Sequence, residues 1–253
     1  MATVSQNFLA VMAAVIASLL LVWILNRTWR PEKRRIYNDL IGWQISILGT
    51  TYAVILGFML YTVWTSYREA DLNVDHEANA VVDVYRLADG IPEPQRWQLK
   101  RLAGSYADAV VNRDWPEMAK NQEPTQSSGI SIEMWKTVMS VRPTSPSEVT
   151  AQDRALSELS SLSQHRLTRL MQSTTRLSNV LWSVLLVGGV LTIVAACTFG
   201  AESLKLHSLQ IFSLSLLISL SLVAIADIHR PFRGLIHVRD DAFRQAQQNM
   251  HAR

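Results

Sequence analysis

The run Asn38–Ala80, NDLIGWQISILGTTYAVILGFMLYTVWTSYREADLNVDHEANA, decides the fold. Its first part, Ile41 to Trp64, carries no charge over 24 residues, long enough at about 1.5 Å per residue to cross a hydrocarbon core of about 30 Å. It then turns charged without a breaker, for no Pro or Gly lies between Phe58 and Gly90. The pattern predicts one helix that begins in lipid and continues into water, a shape suited to lining a pore or carrying a signal.

Three further apolar runs surround it. Phe8 to Asn26 lacks charge and lacks the basic flank of a secretory signal, so it reads as a retained span. Asn179 to Phe199 and His207 to Ile228 form a second pair. The chain therefore reads as an all-α membrane protein: a transmembrane hairpin in residues 1–66 (spans about 8–26 and 41–66), a helical extramembrane domain in 67–178, a second hairpin in 179–228 (spans about 179–199 and 207–228), and a polar helical tail in 229–253. Over 253 residues, 49% are hydrophobic and 18% charged, which fits this class. The net charge is only +3, and its basic residues crowd beside apolar spans, so nucleic acid is not an expected partner whereas membrane lipid is. The lone Cys197 builds no disulfide within one chain.

Between spans one and two lies the basic turn RTWRPEKRR, Arg27 to Arg35. Short-loop charge would place this turn in the cytoplasm, yet Arg166, Arg169, Arg176, Arg230, Arg233 and Arg239 lie at the other end of the spans. Charge does not choose the side. In span two, Gly42, Gly49 and Gly57 fall near one stripe where another helix can approach. In span four, many serines invite hydrogen bonds back to their own helix.

In the middle domain, apolar Val74, Ala78, Val81, Val82 and Tyr85 keep helical spacing with acids between them. GIPEP at Gly90 to Pro94 stops that helix and starts another, Pro94 to about Lys120, with Trp97, Leu102, Tyr106, Val110 and Trp115 inward. Asn121 to Gly129 reads as a loop, Ser131 to Val141 as a short helix, and Ser147 to Leu177 as a long one with leucines at helical spacing. In the tail, Phe232, Leu235 and Phe243 are expected to dock.

The candidate functional residues follow from this layout. Thr50, Val54, Phe58 and Tyr61 share one face of span two and could ring a narrow pore in an oligomer, or pack against the other spans. Asn38 and Asp39, at the entry to span two, could cap the helix or contact an ion or Arg34 and Arg35. Asp227 is an acid near a span end, a suspect for function, with Arg230 one turn on as a salt-bridge partner. Asp75, His76 and Glu77 look like a metal cluster, but neighbours on a helix point apart, so a solvated face is expected. No HExxH pair, phosphate-binding loop, nucleophile elbow or dinucleotide loop is present. The expectation is no enzyme and no cofactor.

The run VILGFMLYTVWTSYREA, Val54 to Ala70, resembles the second transmembrane helix of bestrophins, and RRIYNDLIGW, YAVILGF, EANAVVDVYRLA, DWPEM and the RPF after span four resemble a bacterial bestrophin-like family of four-span proteins. Bestrophins are pentameric anion channels with an apolar neck at i, i+4 and i+8 of this helix. The resemblance implies an oligomer, a pentamer, in the bacterial inner (plasma) membrane, passing small inorganic anions past Thr50, Val54 and Phe58. Thr50 departs from the apolar pattern, and the acidic calcium clasp of animal bestrophins is not found. The competing reading is a non-conducting membrane module whose middle domain binds a partner or senses the envelope.

Overall fold

The computed structural model describes residues 2–251. Ten α-helices follow in order, with no strand among the described residues: α1 Ala2–Thr28, α2 Pro31–Arg35, α3 Asn38–Leu87, α4 Gln95–Ala109, α5 Trp115–Ala119, α6 Gln126–Met139, α7 Pro146–Thr174, α8 Asn179–Thr198, α9 Leu204–Ile228 and α10 Asp241–His251. Four of them, α1, α3, α8 and α9, are long and apolar enough to cross a membrane. The chain divides into two compact units, one from its start to Thr65 with Arg176–His229, the other Ser66–Thr175 with Arg230 onward. α3 runs unbroken for 50 residues and contributes to both.

In the spanning unit, α1 packs on α8 and α9, with Val22, Cys197 and Ile211 in a small tight cluster. Helices approach through glycine, but not at the expected stripe. Around Gly42, Gly49 and Gly57 nothing lies within 4 Å of an added Cβ. The close approach is at Gly188 and Gly189, where an added Cβ would sit 2.7 and 2.9 Å from the Tyr52 ring and hydroxyl, and Tyr52 donates to the Leu185 carbonyl at 2.9 Å. A bare backbone on α8 thus accepts an aromatic ring from α3 together with its polar tip. Ser213, Ser215 and Ser221 of α9 donate back to Leu209, Phe212 and Leu217 carbonyls, as expected of hydroxyls in a span. Ser178 and Ser203 accept from Leu181 and Leu206 amides and so start α8 and α9.

In the second unit, the later part of α3 joins α4, α6, α7 and α10 around one core that includes Val81, Leu99, Tyr106, Leu159 and Phe243. Ser145 caps α7 by accepting from the Glu148 amide, and the Glu148 carboxylate takes the Thr144 amide at 2.6 Å. Those bonds hold the Glu148 carboxyl below the usual range. The helix expected from Pro94 to Lys120 is interrupted: α4 ends at Ala109 and a wide, π-helical turn, Val110–Asp114, precedes α5. Pro116 explains it, because a proline cannot donate four residues back and its ring pushes on that carbonyl. α6 begins at Gln126, inside the expected loop, because Ser127 is pulled into the core by Asp114. Trp97 is 63% exposed, not inward, with its indole on Glu93. Phe232 and Phe243 dock edge-on to Trp115, whereas Leu235 stays exposed.

Candidate functional site

At roughly 100° per residue, Thr50, Val54, Phe58 and Tyr61 span a sector of about 80° on α3, opposite Ile41, Tyr52 and Val63. The packed side of the helix is the latter: Ile41, Tyr52 and Val63 are buried, while Thr50, Val54, Phe58 and Tyr61 are all exposed, Phe58 by 69%. Of the most apolar 18-residue stretch of α3 only 11% is buried within the chain, against 39% for α9. The four candidate residues therefore lie together on one exposed face of α3.

At the entry to α3 the side chains form a clasp. The Asn38 carboxamide exchanges two bonds with Gly200, donating to its carbonyl at 3.0 Å and accepting from its amide at 2.9 Å. Only a glycine fits there, since a Cβ on Gly200 would lie 2.7 Å from the Arg35 amide nitrogen and 2.9 Å from the Pro31 carbonyl. Arg34 is fully buried; it donates to the Cys197 carbonyl at 3.0 Å and to the Asn26 side chain. Its charge faces the carbonyl ends of α1 and α8, where helix dipoles favour a cation. Arg35 reaches Glu202 at 3.2 Å. Asn38 stands at the helix entry, and sequence reasoning missed its partner, because Gly200 lies 162 residues away. Asp39 is exposed in the first turn of α3. Asp227 lies half-buried in the last turn of α9, and Arg230 is exposed just beyond it.

The larger omission is in the second unit. Glu77 is not on a solvated face; it is fully buried, while Asp75 and His76 are exposed. Both its oxygens take the Arg169 guanidinium, at 2.7 and 3.0 Å, and Oε1 also accepts from Tyr106 at 2.7 Å. Arg169 reaches Asp114 at 3.2 Å, Ser127 donates to Asp114 at 2.6 Å, and Arg166 donates to Ser127 at 2.9 Å. Burial works against the charge of Arg169, but Glu77, Tyr106 and Asp114 together outweigh it and raise the guanidinium pKa. Burial, then the Glu77 charge, pushes the Tyr106 phenol well above its ordinary value. The wide turn before Pro116 aims Asp114 inward. One signal was available: Glu77 shares the stripe of Val74 and Val81, and Arg169 the stripe of Leu159 and Leu162, so each charge needed a buried partner.

Nearby, His165 of α7 stacks on His76 at 5.3 Å, and its Nδ1 bonds the Asn73 side-chain oxygen at 2.8 Å. Burial, then the neighbouring His76, lowers the His165 pKa, with Glu77 opposing. No group of three or more metal-ligating side chains lies together among the described residues.

Comparison with known proteins agrees with this architecture. A bacterial bestrophin homologue from Klebsiella pneumoniae superposes with a TM-score of 0.74 at 12% identity, covering 95% of this chain and 97% of that one. A point mutant of the same homologue gives 0.74 at 11% identity, with 96% and 98% covered. A crystal structure described as a membrane protein gives 0.70 at 14% identity over 94% and 96%. At such identities these show the fold. No curated protein matches the sequence. The Bestrophin-like domain matches residues 12–243, nearly the whole length. With its four apolar spans, the chain is an integral membrane protein and belongs to the bestrophin-like family.

Proposed function

We propose that this protein is an oligomeric channel for small inorganic anions, with α3 from each subunit lining a central pore through Thr50, Val54, Phe58 and Tyr61. The observation that carries the reading is the exposure of that face, Phe58 by 69% and Tyr61 by 69%, on the span least buried within its own chain. Apolar side chains on such a face need lipid or copies of themselves as neighbours, and a ring of copies makes a narrow apolar neck. Water leaves a neck of that kind readily, so Val54 and Phe58 would gate by dewetting, while Thr50 and the Tyr61 hydroxyl supply the polar ends. Membership of the bestrophin-like family supports this assignment, the bacterial inner membrane as its place, a pentamer as its assembly and transport, not catalysis, as its activity.

A planar-bilayer recording of purified protein under a chloride gradient tests the reading. The expected result is a current reversing at the chloride potential, enlarged by Phe58→Ala. Absence of current, or reversal at the cation potential, overturns it in favour of a non-conducting module.

A further inference from the structure

We propose that the turn joining α1 to α3 is a binding site for the phosphate headgroup of an anionic phospholipid. The turn stands between the ends of two spans, at headgroup level by its position in the chain. Five cations fall within nine residues, and the structure divides their work. Arg34 is buried on the Cys197 carbonyl and the Asn26 side chain, and Arg35 is taken by Glu202. Arg27, Arg30 and Lys33 are exposed and have no acidic partner among the described residues.

Aromatic and aliphatic side chains stand among those cations. Arg27 lies 6.0 Å from the Trp23 ring centroid, and Trp29 and Tyr37 form a tilted pair at 6.5 Å. Ile36 is 80% exposed and Trp43 66%. A free phosphate would use the cations alone. A lipid uses both, its phosphate on Arg27, Arg30 and Lys33 and its acyl chain along Ile36 and Trp43.

The turn is also ordered before any ligand arrives. Arg34 ties it to the Cys197 carbonyl at the end of α8 and to the Asn26 side chain at the end of α1, Pro31 and Arg35 lie against Gly200, and Asn38 closes the clasp. A fixed set of donors loses little conformational entropy on binding, unlike a flexible basic loop. Glu32 and Asp39 are exposed in the same segment and set the limit on its affinity. The proposal stands apart from conduction, since it needs no pore.

The test is a competition on the full-length protein in detergent micelles. Delipidated protein receives phosphatidylglycerol or phosphatidylcholine of identical chains, or inorganic phosphate, and retained lipid and thermal midpoint are read. Phosphatidylglycerol should be retained in preference and raise the midpoint by several degrees, and neither the neutral lipid nor inorganic phosphate should match it. At about 1 kcal/mol per cation near an anionic headgroup, the double variant Arg30→Ser/Lys33→Ser should bind phosphatidylglycerol about 30-fold more weakly. The control double variant Arg142→Ser/Arg154→Ser, in the second unit, should bind it unchanged. If Arg30→Ser/Lys33→Ser does not fold, Lys33→Arg and added salt replace it, the first expected to keep the preference and the second to weaken it. Equal retention of the two lipids, a preference untouched by the double variant, or a change in subunit number in place of lipid binding overturns the proposal.

Discussion

The two parts of α3 are the same helix built for opposite solvents. Before Thr65 its exposed side is apolar, with Phe58 and Tyr61 each 69% exposed; after Ser66 its hidden side is apolar around one charge, Glu77, which is fully buried. In the first part there is no solvent-driven reason to hide apolar side chains inside the chain, and packing relies on small residues such as Gly188 and Gly189 receiving Tyr52. In the second, water drives a core of valines and leucines together, and the charged group within it must bring its own partners. Helix continuity carries no information about burial; the surrounding medium decides which side chains are hidden.

The largest effect expected from this contrast is at Glu77. Glu77→Ala leaves Arg169 buried beside Asp114 alone and should destabilise the second unit by about 3–5 kcal/mol, read by denaturant unfolding in detergent. Phe58→Ala, made on the same helix, should cost less than about 1 kcal/mol because no neighbour in the chain is lost. Equal costs at the two positions would remove the distinction.

Gly188→Ala comes next. Its Cβ would meet the Tyr52 ring at 2.7 Å, so the ring or α8 must move, at about 1–3 kcal/mol. Combining it with Tyr52→Ala should recover part of that cost, and strict additivity would show that the two do not touch.

A pH dependence separates the units more gently. The folded state lowers the His165 pKa through burial and His76, so the unfolded chain binds the proton more readily. Stability contributed by neutral His165 is complete above the ordinary imidazole value of about 6.5 and is lost as pH falls through it toward the lower folded value. The groups facing it are His76, Asn73 and Glu77. His165→Gln should flatten the acid limb of a stability–pH curve for the second unit, and an unchanged limb would assign that dependence to other groups. A small effect is expected at the start of α7, where Ser145→Ala should cost about 1 kcal/mol, measured by thermal unfolding; no shift would mean the Glu148 bonds suffice.

The all-helical class and the four apolar spans were legible in the sequence, because lipid imposes a length and forbids unpaired backbone. So was the shared face of Thr50, Val54, Phe58 and Tyr61, since it needs only helical periodicity. What escaped depended on distant partners. Asn38 met Gly200, Arg34 met the end of α8, and Glu77 met Arg169, each across more than 90 residues. The charge triplet at 75–77 misled because two of its members are solvated and the third turns inward. Trp97 misled in the other sense, as an apolar position at core spacing whose indole finds Glu93 at the surface.

The most direct test of the pore assignment uses the chain's single cysteine. Cys197 is fully buried, so Phe58→Cys and Val54→Cys can each be exposed to a charged thiol reagent during a bilayer recording. Modification of either variant should reduce chloride current, while labelled Val187→Cys on the exposed side of α8 conducts as before. Current that survives complete labelling of Phe58→Cys, or is blocked equally from Val187→Cys, would contradict a pore lined by α3.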